Sequence, residues 1–237
     1  SKEAYVVEDG STLTFYYDTK KATHTGTVYG IDDMRTDDTK VPAWAGSRLD
    51  KNERTTKAVF DSSFKDYRPA TTSCWFCICK TLATIEGIEN LNTEEVTDMS
   101  NMFLGCSAMT SIDVTKFNTA KVTNMSGMFS ACSALTTIYC NDDWTKGVVT
   151  ESGNMFGYCT NLKGAVAYNQ TKVDVTMANP TTGYFTKKSA TGITHPTAAE
   201  PLKRQGIYNL QGVKMQGSLD LLPAGVYIVD GKKIVKK

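Results

Sequence analysis

The chain of 237 residues is long enough to bury a core of its own, and its 41% apolar and 22% charged content is that of an ordinary globular protein. Its 26 basic and 25 acidic side chains leave a formal charge of +1, a balance that supplies no field to hold a nucleic-acid backbone or an anionic membrane. No run of about 18 apolar residues occurs, so no segment is a candidate membrane-spanning helix.

Residues 1–58 carry strand-like runs: Tyr5-Val6-Val7, Leu13-Thr14-Phe15-Tyr16-Tyr17 and Val28-Tyr29-Gly30-Ile31. Glu8-Asp9-Gly10-Ser11 is a turn signal between the first two. These runs predict an N-terminal β cap that covers the open edge of whatever follows. Phe60, Phe64 and Tyr67 then recur at helical spacing before Pro69 and predict a first helix.

A repeat begins next. An apolar pair followed three residues later by cysteine reads Trp75-Phe76 to Cys79, Met102-Phe103 to Cys106, Met128-Phe129 to Cys132 and Met155-Phe156 to Cys159, with cysteine offsets of 27, 26 and 27. A large apolar residue follows each cysteine by three: Leu82, Met109, Leu135 and Leu162. Each opens a strand-like run, and Ile85, Ile112, Ile138 and Ala165 hold the inward position. Val96, Met99, Met102 and Phe103, repeated as Val122, Met125, Met128 and Phe129, have the spacing of a short helix. Asp98 is placed to cap that helix and Gly105 to end it. One such unit cannot bury its apolar face alone, so the pattern predicts stacked units.

Asn92-Thr-Glu-Glu-Val96-Thr-Asp-Met99-Ser-Asn-Met102-Phe103-Leu-Gly-Cys106 resembles the BspA-like leucine-rich repeats of bacterial surface proteins, of the type common in Bacteroidetes, and Phe117 to Phe129 is similar to a second copy. The resemblance covers about Phe60 to Phe185. It implies a mixed α/β repeat solenoid, a leucine-rich-repeat-like right-handed β-α superhelix of about four units. It also implies surface exposure and adhesion to host extracellular-matrix proteins or to surface proteins of other bacteria.

Lys187 to Pro201 is polar, contains two prolines, and reads as a linker over 187–203. Beyond it, short strand-like runs separated by glycines predict a small all-β unit over 204–237. Leu222 to Lys237 resembles the C-terminal sorting-type tails of secreted Bacteroidetes proteins, which implies export and attachment at the cell surface. The chain opens on Ser1-Lys2 without a methionine, and the expected history is export with a removed signal peptide. The expected domains are therefore a β cap over 1–58, the repeat array over 59–186, the linker and the C-terminal unit.

Cys74-Trp-Phe-Cys77-Ile-Cys79 invites a metal or redox reading, but Cys79 belongs to the repeat column, where a small apolar side chain packs between turns. Cys140 fills an inward strand position beside Val114 and Ala167. Cys74 and Cys77 fall at variable positions expected to face outward. His24 and His195 are the only histidines, and His195 sits in the linker, so no cysteine–histidine pair is expected. The acidic pairs Asp32-Asp33, Asp37-Asp38, Glu94-Glu95 and Asp142-Asp143 fit no calcium loop and read as solvated turns. No nucleophile elbow, zinc-protease signature or phosphate-cradling loop is present. The expectation is a monomeric, non-catalytic protein without catalytic residues, cofactor or metal.

Binding is then expected on the outward face of the strands. Thr84 and Glu86, Ser111 and Asp113, and Thr137 and Tyr139 flank the inward isoleucines there. A structural envelope spacer carrying the same fold without a ligand is the alternative. A secreted hydrolase or thiol-redox enzyme is a third class, and it would need the Cys74 and Cys77 pair or an acidic cluster as its site.

Overall fold

The computed structural model describes residues 1–189, 206–209, 213–230 and 232–236. The chain divides into two compact units, Ser1–Lys188 and Ser189–Lys237. Most of the linker expected at 187–203, His195 included, lies outside the described residues.

In the first unit β1 (Glu3–Asp9) and β2 (Thr12–Asp18) form an antiparallel hairpin, with β3 (Thr27–Gly30) on the outer edge of β1. β4 (Lys57–Phe60) pairs parallel to β2, and β5 (Thr84–Glu86) pairs parallel to β4, giving a five-stranded sheet of order β3-β1-β2-β4-β5. Phe15 is the centre of its buried face. Its ring stacks on Phe60 at 4.6 Å and on Trp75 at 5.4 Å and meets Trp44 edge-on at 5.7 Å. The Trp44 indole N–H is buried and donates to the Trp75 carbonyl at 2.8 Å, which satisfies a polar group the core could not otherwise hold. A second parallel sheet joins β6 (Ser111–Asp113), β7 (Thr137–Tyr139) and β8 (Phe185–Thr186) in that order.

The expected α/β superhelix is not what forms. Among the described residues there is no α-helix, only 3-10 turns, and the strands gather into sheets of five and three. The segment around Phe64, expected as a helix, is a 3-10 turn over Ser62–Asp66. The segment from Val96 to Gly105 is a chain of turns, and its hydrogen bonds give the reason. The N–H groups of Met102, Leu104 and Cys106 donate three residues back, to Met99, Asn101 and Phe103. The alternate N–H groups of Met99, Asn101, Phe103 and Gly105 leave the segment and donate to Asn124, Ser126, Met128 and Ser130 of the next repeat. An α-helix would need both sets for itself. Left-handed backbone at Asn101 (φ 55°) and Gly105 (φ 72°) sustains this alternation and would break any α-helical run. Asp98 does cap, accepting from the Ser100 N–H at 2.8 Å, but what it caps is a turn.

The repeat register itself is kept in the packing. Phe76, Phe103, Phe129 and Phe156 are fully buried and stack nearly parallel, with ring centroids 5.7, 5.6 and 5.7 Å apart. Cys106, Cys132 and Cys159 lie beside them, and each thiol donates to the carbonyl of the phenylalanine one repeat earlier: Phe76 at 3.1 Å, Phe103 at 3.1 Å and Phe129 at 2.9 Å. The fourth strand expected at Leu162 to Ala167 does not form. Its place beside β7 is taken by β8, which arrives from a later part of the chain. Tyr184 and Phe185 meet Phe156 edge-on and close that end of the core.

The second unit contains an antiparallel sheet of order β11-β10-β9, formed by β9 (Ile207–Asn209), β10 (Gly225–Val229) and β11 (Lys232–Lys236). The β11 lysines Lys232 and Lys233 are exposed, as expected for charges that protect a sheet edge.

Candidate functional site: a missing rung between two strands

The parallel pairing from β4 through β8 is interrupted once, between β5 and β6, which belong to different sheets. The chain paths explain the interruption. From Ile85 to Leu91 the sequence is one residue longer than the equivalent run from Ile112 to Phe117. The extra residue is absorbed at Gly87, in left-handed conformation with φ 68°, followed by a 3-10 turn over Ile88–Asn90. A Cβ at Gly87 would overlap the Phe60 carbonyl, and the Asn90 amide donates to that same carbonyl at 3.0 Å. The chain leaving β5 is thus drawn onto β4. In the next repeat Val114 stands in Gly87's place, is fully buried, and continues the ladder by donating its N–H to Tyr139 at 2.9 Å.

The interruption leaves two strand edges facing one cavity of about 350 Å³, lined by Ala83, Thr84, Ile85 and Ile88 on one side and Ser111, Ile112, Asp113, Tyr139 and Lys188 on the other. The Thr84 N–H donates to Thr56 at 3.3 Å, which by the alternation of a parallel ladder directs the main-chain groups of Thr84 and Glu86 toward β4 and those of Ile85 toward the cavity. On the other wall the Thr137 N–H donates to Thr110 and the Val114 N–H to Tyr139, so the main-chain groups of Ile112 point to β7 while those of Ser111 and Asp113 point to the cavity. Among the described residues, the main-chain N–H and C=O groups of Ile85, Ser111 and Asp113 have no protein partner. Ile85 is correspondingly half-buried, whereas its counterparts Ile112 and Ile138 are 5% and 0% exposed.

Four of the six outward residues singled out in the sequence meet in this cavity: Thr84, Ser111, Asp113 and Tyr139. Glu86 turns aside to Lys57, at 3.5 Å, and the Thr137 hydroxyl lies 3.3 Å from that of Thr136. Lys188, assigned to the linker in sequence, is a wall of the cavity. Its ammonium meets Asp113 at 2.5 Å and lies 5.7 Å from the Tyr139 ring centroid. It is held there by Asn141, whose amide accepts from the Lys188 N–H at 2.8 Å and donates to the Lys188 carbonyl at 3.1 Å. Burial opposes ionisation of Asp113, but the Lys188 ammonium and the hydroxyl and N–H of Thr115 overcome it, and the carboxyl sits below its ordinary range. The same Asp113 contact pushes the Lys188 ammonium up. No signal in the sequence joins Lys188 to Asp113, because the pairing depends on β8 replacing the fourth repeat strand.

The other chemical candidates resolve into structure. Cys79, Cys106, Cys132, Cys140 and Cys159 are buried, as the register predicts. Burial pushes the thiols of Cys79, Cys140 and Cys159 up to about 12. Cys77 does not face outward as expected. The Trp44 to Gly46 loop covers it, and its thiol donates to the Gly46 carbonyl at 3.2 Å. Cys74 is half-buried, and the neighbouring Cys77 thiol lowers its pKa. Asp37 accepts from Arg35, Thr39 and Ser47, Glu94 pairs with Arg68, Glu95 with Lys121, and Asp143 caps the turn at Trp144–Lys146. Among the described residues no helix is long and apolar enough to cross a membrane.

Stacked phenylalanines, buried repeat cysteines and an open strand edge define a repeat protein whose distinctive surface is a gap in its own β ladder. The model of the family described as "Mycoplasma protein of unknown function, DUF285" matches residues 72–191, just over half of the chain, and the protein belongs to that family. It is a BspA-like surface-repeat family, in agreement with the resemblance carried by the Met-Phe-Cys repeats. No curated protein and no solved structure is significantly similar to the chain.

Proposed function

We propose that the protein is a non-catalytic binding module, secreted or held at the cell surface, that grips another macromolecule through the cavity between β5 and β6. The host matrix or the surface of another bacterium is the proposed setting. The observation that carries this reading is the pair of facing strand edges whose main-chain groups at Ile85, Ser111 and Asp113 lack partners. Such edges are normally paired or covered, because they are templates for another chain. The surface-repeat family and the similarity of Leu222 to Lys237 to Bacteroidetes sorting-type tails support the surface setting.

Two measurements test the proposal. Protease shaving of intact producing cells should release the chain. The purified full chain should bind immobilised host matrix proteins or whole bacteria saturably, and the combined variant Glu86→Lys, Asp113→Lys, Tyr139→Ala should weaken that binding at least tenfold. Binding unchanged in the triple variant removes the cavity from the reading. A chain that stays inside the cell, or binds no surface, overturns the reading as a whole.

A further inference from the structure

Building on the binding-module reading, we propose that the cavity between β5 and β6 takes an extended peptide of a partner protein, which enters as an added strand and supplies the missing rung of the ladder. The two walls specify this chemistry. Main-chain donors and acceptors of Ile85 on one side and of Ser111 and Asp113 on the other are arrayed along strands of three residues, about 10 Å long at the strand rise. Another polypeptide in extended conformation offers the same alternation of N–H and C=O at the same spacing, and added-strand recognition draws its affinity from those bonds.

The side chains narrow the partner further. The two charges that line the cavity, Lys188 and Asp113, pair with each other, and Glu86 beside it pairs with Lys57, while Glu89, next to Ile88 in the chain, lies near enough to favour the charged Lys188 ammonium. Among the residues that line the cavity the entering strand therefore meets no unpaired charge, and its outward residues there are uncharged. Thr84 and Ser111 offer hydroxyls at the rim to small polar residues such as Thr or Ser. Ile85 and Ile88 line the floor and are only partly covered, so the alternate residue of the peptide is apolar and completes their burial. A sugar ring fits less well. The aromatic platform it would stack on is Tyr139, and the Lys188 ammonium already occupies its face at 5.7 Å.

The test uses the full chain and begins without any ligand. Amide hydrogen exchange followed by NMR should show the N–H groups of Ile85, Ser111 and Asp113 exchanging at least tenfold faster than those of Glu86, Ile112 and Val114. Equal protection of the two sets means the rung is closed and overturns the proposal.

Linear dodecapeptides selected from a random displayed library on the full chain are the probe. Those that bind should be uncharged and alternating, should shift and protect the same three amides, and should lose at least tenfold in affinity when alternate peptide bonds are N-methylated. Thr84→Trp, which fills the cavity from an exposed position, should weaken them at least tenfold with an unchanged Tm. If that variant fails to fold, the N-methylated peptides give the same reading on the unaltered chain. Failure to select any peptide, selected peptides that shift other amides or tolerate N-methylation throughout, or a glycan that shifts these three amides would each overturn the proposal. Matrix binding that survives in folded Thr84→Trp sinks the added strand while leaving the binding-module reading in place.

Discussion

The thiol of Cys132 donates to the carbonyl of Phe103 at 3.1 Å, and the Phe103 ring stacks on Phe129 at 5.6 Å, so one repeat is tied to the next by a side chain on each side of the same turn. Cys106 and Cys159 repeat the contact one unit earlier and one unit later. Residues that look reactive in a sequence thus serve as small buried donors, a role suited to a side chain with weak polarity and little volume. Removing the thiol in Cys132→Ala should cost about 1–2 kcal/mol, a small cavity together with a lost weak hydrogen bond. Denaturant unfolding would show this as a lower midpoint at unchanged slope.

Thiol chemistry should separate the seven cysteines. Burial holds Cys106 and Cys132 well above the ordinary thiol range, whereas Cys74 is lowered and half-buried. A disulfide-exchange reagent added to native protein at neutral pH should label Cys74 first and leave the repeat column untouched until denaturant is added. Peptide mapping of the labelled protein reads the order, and early labelling of Cys106 or Cys132 would contradict the packing described.

The phenylalanine stack should carry a large share of stability. Phe103 is fully buried between Phe76 and Phe129, and Phe103→Ala should destabilise by about 3–5 kcal/mol. A double-mutant cycle with Phe129→Ala should give a coupling of about 0.5–1.5 kcal/mol, the share that belongs to ring contact rather than to burial alone.

The Asp113–Lys188 pair gives a pH signature of known sign. The pKa of the Asp113 carboxyl is depressed in the folded chain, so its contribution is fully present above the unfolded value of about 3.9 and is lost as pH falls through the folded value. Both side chains are partly exposed, 30% for Asp113 and 43% for Lys188, which keeps the stabilisation to about 1 kcal/mol or less. Lys188→Met should therefore leave stability near neutral pH within that margin and flatten its fall in acid. Thermal unfolding of both proteins between about pH 2 and 6 measures the difference.

At the other end of the first unit, the Tyr5 hydroxyl donates to Asp18 at 2.6 Å and lies 2.8 Å from the ring nitrogen of His24. Burial opposes ionisation of Asp18, and the Tyr5 hydroxyl and the Lys20 N–H outweigh it. Tyr5→Phe should raise the Asp18 pKa and cost about 1–2 kcal/mol, since Tyr5 itself is fully buried. An NMR titration of the Asp18 carboxyl in both proteins checks the direction.

Much of this molecule is legible one residue at a time. The positions of Phe103, Cys106, Ile112 and their counterparts follow from a period of 26 or 27, because a chain that repeats its apolar residues in register must stack them in register. Burial of the five packed cysteines and placement of Thr84, Ser111, Asp113 and Tyr139 on one face were open to sequence reasoning for the same reason. Secondary structure was not. Spacings of three and four suit an α-helix and a run of 3-10 turns alike, and the choice fell to alternate N–H groups that bond across repeats, a partner no local pattern reveals. The site was half legible. The single extra residue at Gly87 is visible in the sequence, but its consequence, a strand drawn onto Phe60 and away from β6, depends on where β4 lies. Lys188 reaches Asp113 only because β8 closes the sheet from a distant part of the chain. Sequence determined the period and the faces, which are local and repetitive; tertiary structure decided which edges pair and which stay open, because pairing joins residues that no period relates.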